Sequence, residues 1–266
     1  MIIFKSIKKL NKEVNFKADV GFVPTMGALH KGHVSLINKS QKMSKKTLVS
    51  IFVNPRQFNK KKDYIKYPRN IKKDIKLLKN LKVDYVLIPK ISDIYDKNQK
   101  IKKIKIINKV LCAKYRPNHF EGVINVIDQF IKKIAFKKIY LGEKDYQQYL
   151  LIKKFFKRDK NIKIVLCKTE RMKNGLAYSS RNKLLNKTSI KQSAILVSKI
   201  KKLFISLKRN LSNKLILKKF VSSNKHIKIE YIELRSKIDL SKNIDKNNVK
   251  IFFAFYVNGI RLIDNF

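Results

Sequence analysis

Residues 47–53 (TLVSIFV) form a nearly unbroken apolar run, interrupted only by Thr47 and Ser50. A strand without polar alternation buries both of its faces, which places it inside a parallel sheet covered by helices. Similar short runs recur at residues 20–23, 83–88, 138–141 and 162–166. Between the first of them lie lysine-studded stretches with helical spacing, at residues 33–42 and at 71–82, where Ile71, Ile75, Leu78 and Leu81 recur. Strand, helix and strand repeated in this way predict an α/β fold, a doubly wound parallel, Rossmann-like sheet. After about Lys168 the pattern changes. Residues 189–207 read as one amphipathic helix, 227–234 alternate as a half-buried strand, and 251–257 read as another. The expected organisation is a Rossmann-like domain over residues 1–168 and a smaller α+β domain over 169–266.

The hydrophobic share of 44% is enough for a core despite 64 Lys and Arg against 18 Asp and Glu, a net charge of +46. Such a charge speaks to solubility and non-specific attraction rather than to fold. Lysine is spread along the whole chain, and Ile and Asn are abundant too, which matches drift towards AT-rich codons. The competing reading is a nucleic-acid surface with steep salt dependence; the expectation is no specific nucleic-acid partner. Residues 59–63 (NKKKD) read as a solvated loop. Cys112 and Cys167 stand 55 positions apart, with no CxxC and no histidine at ligand spacing. That predicts two buried thiols in apolar surroundings, in a reducing compartment, with no bound metal. The apolar run before Lys5 is too short for a secretory signal, and no stretch approaches the ~18 apolar residues of a membrane span. A cytoplasmic protein with no membrane partner is expected.

The segment Pro24-Thr25-Met26-Gly27-Ala28-Leu29-His30-Lys31-Gly32-His33 follows a strand and opens a helix. Parallel sheets present their ligand crevice there, and free amides at a helix start favour phosphate. Gly27 and Gly32 let the backbone pass close to a nucleotide. Two of the four histidines, His30 and His33, stand three apart, so both imidazoles can face one phosphate. HxGH in this setting resembles the nucleotidylyltransferase and class I aminoacyl-tRNA synthetase superfamily, which implies attack at an α-phosphate with loss of pyrophosphate. Two basic segments could hold the phosphates from the other side. Lys42-Met43-Ser44-Lys45 lies at the far end of the same helix, about 14 Å away at 1.5 Å per residue, too far to fold back. Tyr178-Ser179-Ser180-Arg181-Asn182 offers two hydroxyls and a guanidinium at the start of the second domain.

Seven blocks occur in the order and spacing of the pantothenate synthetase family, and the chain resembles it over nearly its whole length. They are VPTMGALHKGHVSLI (23–37), SIFVNPRQF (50–58), YPR (67–69), RPNHFEGV (116–123), GEKDYQQ (142–148), GLAYSSRN (175–182) and RLIDN (261–265). The resemblance implies ATP-dependent ligation of pantoate to β-alanine through a pantoyl adenylate, with Mg²⁺, in a cytoplasmic homodimer. It also implies an ATP loop of Met26, Gly27, Ala28, Leu29, His30, Lys31, Gly32 and His33, with the two imidazoles stabilising the transition state. Gly142, Glu143, Lys144 and Asp145 would meet ATP, with Lys144 on phosphate and Asp145 on ribose. Ser179, Ser180 and Arg181 would grip the triphosphate, with the backbone of Glu170 and Tyr178 near adenine. Gln57 and Gln148 would bind pantoate beside Asn54, and Tyr67 and Arg116 would be lesser pocket members. Arg116, His119 and Glu121 could instead build a turn or a subunit contact. The chain departs from the family pattern at Tyr178 (Met or Leu), at Asn118 (Gly) and at Leu111-Cys112-Ala113 (Leu-Glu-Gly), and Arg56 adds a charge beside Gln57.

Overall fold

A computed structural model describes residues 1–96, 109–157, 162–209, 211, 214–224 and 227–266. Among these residues nine strands divide into two sheets. The first holds β1 (Ile2–Phe4), β2 (Val20–Thr25), β3 (Lys46–Ile51), β4 (Tyr85–Leu87), β5 (Lys138–Gly142) and β6 (Lys163–Cys167). Their order is β1-β4-β3-β2-β5-β6, and every pairing is parallel. From β2 the chain winds outward through β3 to β4, then returns to β5 on the other side. The order therefore switches between β2 and β5, and the crevice beyond their C-terminal ends is the place for a ligand.

Helices cover both faces of this sheet, as the apolar strands require. One face packs Phe22, Leu48 and Ile139 against Val123, Ile127 and Phe130 of helix His119–Lys133. The Phe22 ring lies 4.6 Å from that of Phe136 and 5.1 Å from that of Phe130. The other face packs Val23, Val49 and Val86 against Leu36 and Ile37 of helix Lys31–Met43 and Leu78 of helix Ile71–Asn80. Full burial of such side chains contributes about 1.5–3 kcal/mol each.

The second sheet is antiparallel, in the order β7 (Lys228–Ser236), β8 (Val249–Val257) and β9 (Ile260–Asn265). Ile251, Phe253 and Phe255 of β8 pack on Val197, Ile200 and Phe204 of helix Lys187–Leu207. The opposite face, through Phe252 and Ala254, packs on Leu111, Phe120 and Tyr146. With helices on one side and the first sheet's surroundings on the other, β8 is buried on both faces, which explains its continuous hydrophobicity.

The doubly wound sheet and the smaller α+β sheet agree with the sequence reading. Edge strand β1 and the closing strand β9 were not foreseen, nor were helices His119–Lys133 and Tyr146–Phe155. Strand β2 extends beyond the expected run of residues 20–23, through Pro24 to Thr25. Its pairing with β5 stops at Phe22, so the missing proline N–H falls where that ladder is already over. Residues 59–63 are not simply a loop: a short helix starts at Lys61 and ends at Ile65. Among the described residues no helix is long and apolar enough to cross a membrane.

Candidate active site

At the end of β2 the chain turns through two left-handed residues, Gly27 (φ 74°) and Ala28 (φ 51°). For alanine this conformation costs on the order of 1 kcal/mol, so something must hold it. The buried carboxylate of Asp74 does so, accepting the amides of Ala28 and Leu29, both at 2.8 Å. Thr25 accepts the Gly27 amide at 3.1 Å and donates to the Ser50 carbonyl at 2.7 Å. These amides are therefore not free for phosphate, which corrects the expectation for Gly27, Ala28 and Leu29. They shape the loop and do not line the cleft. Lys31 is exposed and also outside it.

The turn delivers His30 to the N-cap of helix Lys31–Met43, where its Nδ1 accepts the Gly32 amide at 3.1 Å. That bond assigns the proton of the neutral ring to Nε2. His33 lies one turn on, with ring centroids 4.0 Å apart. A side chain at Gly32 would press within 3 Å of the His30 ring, so glycine is required by close approach. Burial, reinforced by His33, Lys144 and Lys183, lowers the His30 pKa to about 2. Burial lowers that of His33 to about 4, against an opposing pull from Asp145. Both rings are neutral near pH 7, and the buried Nδ1 of His33 has no partner among the described residues. At the far end of the helix, Ser44 caps and bonds Tyr140 at 3.0 Å, so residues 42–45 play no part in the cleft.

The segment after Glu170 docks directly on this loop. The Glu170 carbonyl accepts the Tyr178 amide at 3.0 Å, and both residues line the cleft. The Tyr178 ring lies nearly parallel to that of His30, with centroids 6.4 Å apart. Ser179 caps the 3-10 helix Ser180–Leu184 by accepting the Arg181 amide at 3.3 Å. Ser180 is turned inward. Its hydroxyl reaches the carbonyls of Gly27 (3.5 Å) and Ala28 (3.3 Å), and it bonds the side chain of Tyr67. Ser180 thus ties two segments together instead of presenting a free hydroxyl to phosphate. Arg181 lines the cleft and forms no ion pair among the described residues.

Beyond β5, Gly142, Lys144 and Asp145 line the cleft, with Lys144 Nζ 3.0 Å from Asp145 Oδ1. Glu143 does not. It is paired with Lys250 of β8 at 2.9 Å, a structural link between the sheets. Asn265 reinforces that link by donating to the carbonyls of Glu143 and Lys144 at 2.9 and 3.0 Å.

Met26, Asn54, Gln57, Tyr67 and Gln148 also line the cleft. Asn54 is fully engaged. Its amide donates to the Gly122 carbonyl (3.0 Å) and Gln57 (3.3 Å), and its Oδ1 accepts from Tyr95 and the Arg56 amide. It fixes the loop that carries Gln57, whose Nε2 meets Met26 Sδ at 2.7 Å. Helix His119–Lys133 approaches this loop so closely that a Cβ at Gly122 would overlap the Arg56 carbonyl. Arg56 itself stacks on Tyr95, 3.7 Å from the ring centroid, and does not line the cleft. Asn118 adopts φ 64°, a conformation that asparagine tolerates and glycine favours. Cys112 and Cys167 are buried and free. Cys112, though, faces Tyr231 OH at 3.2 Å and Arg261 at 3.4 Å, a polar setting and not the apolar one expected.

The cleft enclosed by these walls measures about 260 Å³. Sequence reasoning missed Asp74, Gln147 and Asn265. Asp74 did leave a signal, an acid on the Ile71–Leu78 apolar stripe of a helix. Gln147 is buried and donates to the Val110 carbonyl at 2.8 Å, leaving its Oε1 without a partner among the described residues.

Residues 2–266 match the family described as pantoate-beta-alanine ligase. The pantothenate synthetase of Francisella tularensis subsp. novicida (strain U112) is 39% identical over 273 residues, 100% of this chain and 97% of that protein. The crystal structure of pantoate-beta-alanine ligase from Francisella tularensis, complexed with beta-gamma ATP and beta-alanine, superposes with a TM-score of 0.83 at 38% identity. It covers 100% of this chain and 97% of its own. Pantothenate synthetase from Thermus thermophilus gives a TM-score of 0.87 at 25% identity, covering 100% and 99%. With paired imidazoles at the switch point of a doubly wound sheet and a match along essentially its full length, the chain belongs to the pantoate-beta-alanine ligase family.

Proposed function

We propose that the protein joins pantoate to β-alanine with ATP in two steps in this cleft, through a pantoyl adenylate. The observation that carries the reading is the meeting of two neutral, adjacent imidazoles with Arg181, which forms no ion pair among the described residues, on one cavity. In the first step a pantoate carboxylate oxygen attacks the α-phosphorus. The bond to the bridging oxygen breaks, and pyrophosphate leaves with the electron pair. His30 Nε2–H and the His33 ring donate to the charge that builds, while Lys144 and Arg181 share it. Lys144 must first exchange its contact with Asp145. Gln57 and Gln148 hold pantoate with uncharged amides, which leaves its carboxylate nucleophilic. In the second step the neutral amine of β-alanine attacks the acyl carbon, the bond to the phosphate oxygen breaks, and AMP leaves. The nitrogen sheds its proton to solvent, and positioning supplies much of the rate.

The acidic groups lining the cleft are Asp145, Glu170 and Asp264, and Arg171 binds Asp264 through both oxygens at 2.6 and 3.0 Å. Among the described residues no cluster of three or more His, Cys, Asp or Glu could cage a metal. This donor set fits Mg²⁺ carried by the phosphates, with Asp145 as the protein's contribution. When bound it would neutralise phosphate charge. The same reading divides the chain near residue 168, with residues 169–266 closing on the loop through Ser180, and takes the enzyme as a cytoplasmic homodimer.

The test omits each substrate in turn. ATP and pantoate alone should release about one equivalent of pyrophosphate per site, and steady AMP formation should begin only when β-alanine is added. A product that keeps the nucleotide would identify a nucleotidylyltransferase instead.

A further inference from the structure

Three arginines of this protein, buried or part-buried, each hold a carboxylate: Arg171 with Asp264, Arg235 with Glu233 and Arg261 with Glu230. Arg116 is different. Its guanidinium lines the cleft, forms no ion pair among the described residues, and meets His119 Nε2 at 2.9 Å. The other nitrogen of that ring, Nδ1, lies 2.7 Å from the Gln57 carbonyl, which can only accept. Nδ1 therefore carries the proton, and Nε2 is the acceptor that receives the Arg116 N–H. A neutral ring thus orients the arginine without compensating its charge. Burial and the nearby Arg181 pull the Arg116 pKa down to about 10, and the group still carries its charge near neutrality. A partly desolvated cation beside the guanidinium of Arg181 favours an anionic ligand.

The ligation reading brings three anions into the cleft, and their roles in the chemistry sort them. Arg181 sits on the segment docked to the histidine loop, the triphosphate side. Arg116 is tied through His119 to the loop that carries Gln57, with Arg181 nearby. The pantoate carboxylate is the nucleophile of the first step, and a guanidinium on it would lower its reactivity. The carboxylate of β-alanine, two methylenes from the attacking amine, takes no part in bond making. A bidentate arginine contact holds such a group and aims the amine.

We propose that Arg116 binds the carboxylate of the acceptor amino acid and makes the enzyme select β-alanine over amines without an acid group. This rests on the ligation reading and assigns a residue to its second substrate.

Full-length Arg116→Gln and Arg116→Lys test it in three assays: single-turnover pyrophosphate release from ATP and pantoate, the KM for β-alanine, and acceptor use of β-alanine against propylamine. Arg116→Gln should raise the β-alanine KM about 100-fold or more, the loss of a bidentate charged contact. Pyrophosphate release should stay within about threefold, and the preference over propylamine should collapse. Arg116→Lys, which keeps the charge but not the fork, should raise the KM about tenfold and decides the matter if the glutamine variant does not fold. A parallel fall in pyrophosphate release, a raised KM for ATP or pantoate, or an unchanged β-alanine KM would each overturn the assignment. Failure of the parent protein to release pyrophosphate with pantoate would instead sink the ligation reading itself.

Discussion

His33→Ala is expected to slow pyrophosphate release in a single turnover by about 10²–10³-fold, the effect of removing one donor aimed at developing charge. The expectation follows from the state of the ring. His33 is neutral, part-buried and packed at a tilt against His30, and its Nδ1 has no partner among the described residues. It is a preorganised group with its polar edge left for a ligand. The ATP affinity should change far less, because a neutral donor contributes little to holding a ground-state triphosphate beside Lys144 and Arg181. His30→Ala carries an added cost: it also removes the N-cap acceptor of helix Lys31–Met43, so His33→Ala is the cleaner variant. A near-wild-type single-turnover rate in His33→Ala would contradict the role given to the pair.

Stability should fall steeply as pH drops from about 6.5 towards 4. Burial holds the folded pKa of His33 at about 4, that of His30 at about 2, and that of His119 well below the ordinary value of 6.5. In the unfolded chain all three return to about 6.5. Below that pH the unfolded state binds protons that the native state refuses, so stability is intact above 6.5 and drains away as pH falls. The loss for His33 is complete near pH 4 and continues lower for His30. Each residue contributes about 1.4 kcal/mol per pH unit inside its window. Between pH 7 and pH 5 His30 and His33 alone cost on the order of 4 kcal/mol, close to the whole stability of a marginal domain, and His119 adds to the loss in the same direction. Urea melts across this range measure it directly. A flat profile from pH 7 to 5 would show that these rings take up protons freely in the folded state.

The parts of the fold legible in the sequence are those with a local period. Strands buried on both faces and helices with an Ile–Leu stripe announced the doubly wound sheet, and a strand followed by a glycine-bearing turn and a helix located the histidines. Asn118 departs from the family pattern, and its left-handed backbone shows how the chain accommodates it. What stayed hidden depends on side chains distant in sequence. Glu143 belongs to an ATP-like motif by position, yet Lys250, 107 residues away, takes its carboxylate. Ser180 spends its hydroxyl on carbonyls 152 and 153 residues back. The amides of Ala28 and Leu29 look free at a helix start until Asp74, 46 and 45 residues on, is seen to occupy them. Motif membership located these residues near the site, and only packing distinguished a ligand-facing group from a brace.

The route of oxygen through the reaction tests the adenylate most directly. Pantoate labelled with ¹⁸O in both carboxylate oxygens should transfer one labelled oxygen to the phosphate of AMP and keep the other in the new amide. Label in orthophosphate, or AMP free of label, would mean that the acid never attacked the α-phosphorus.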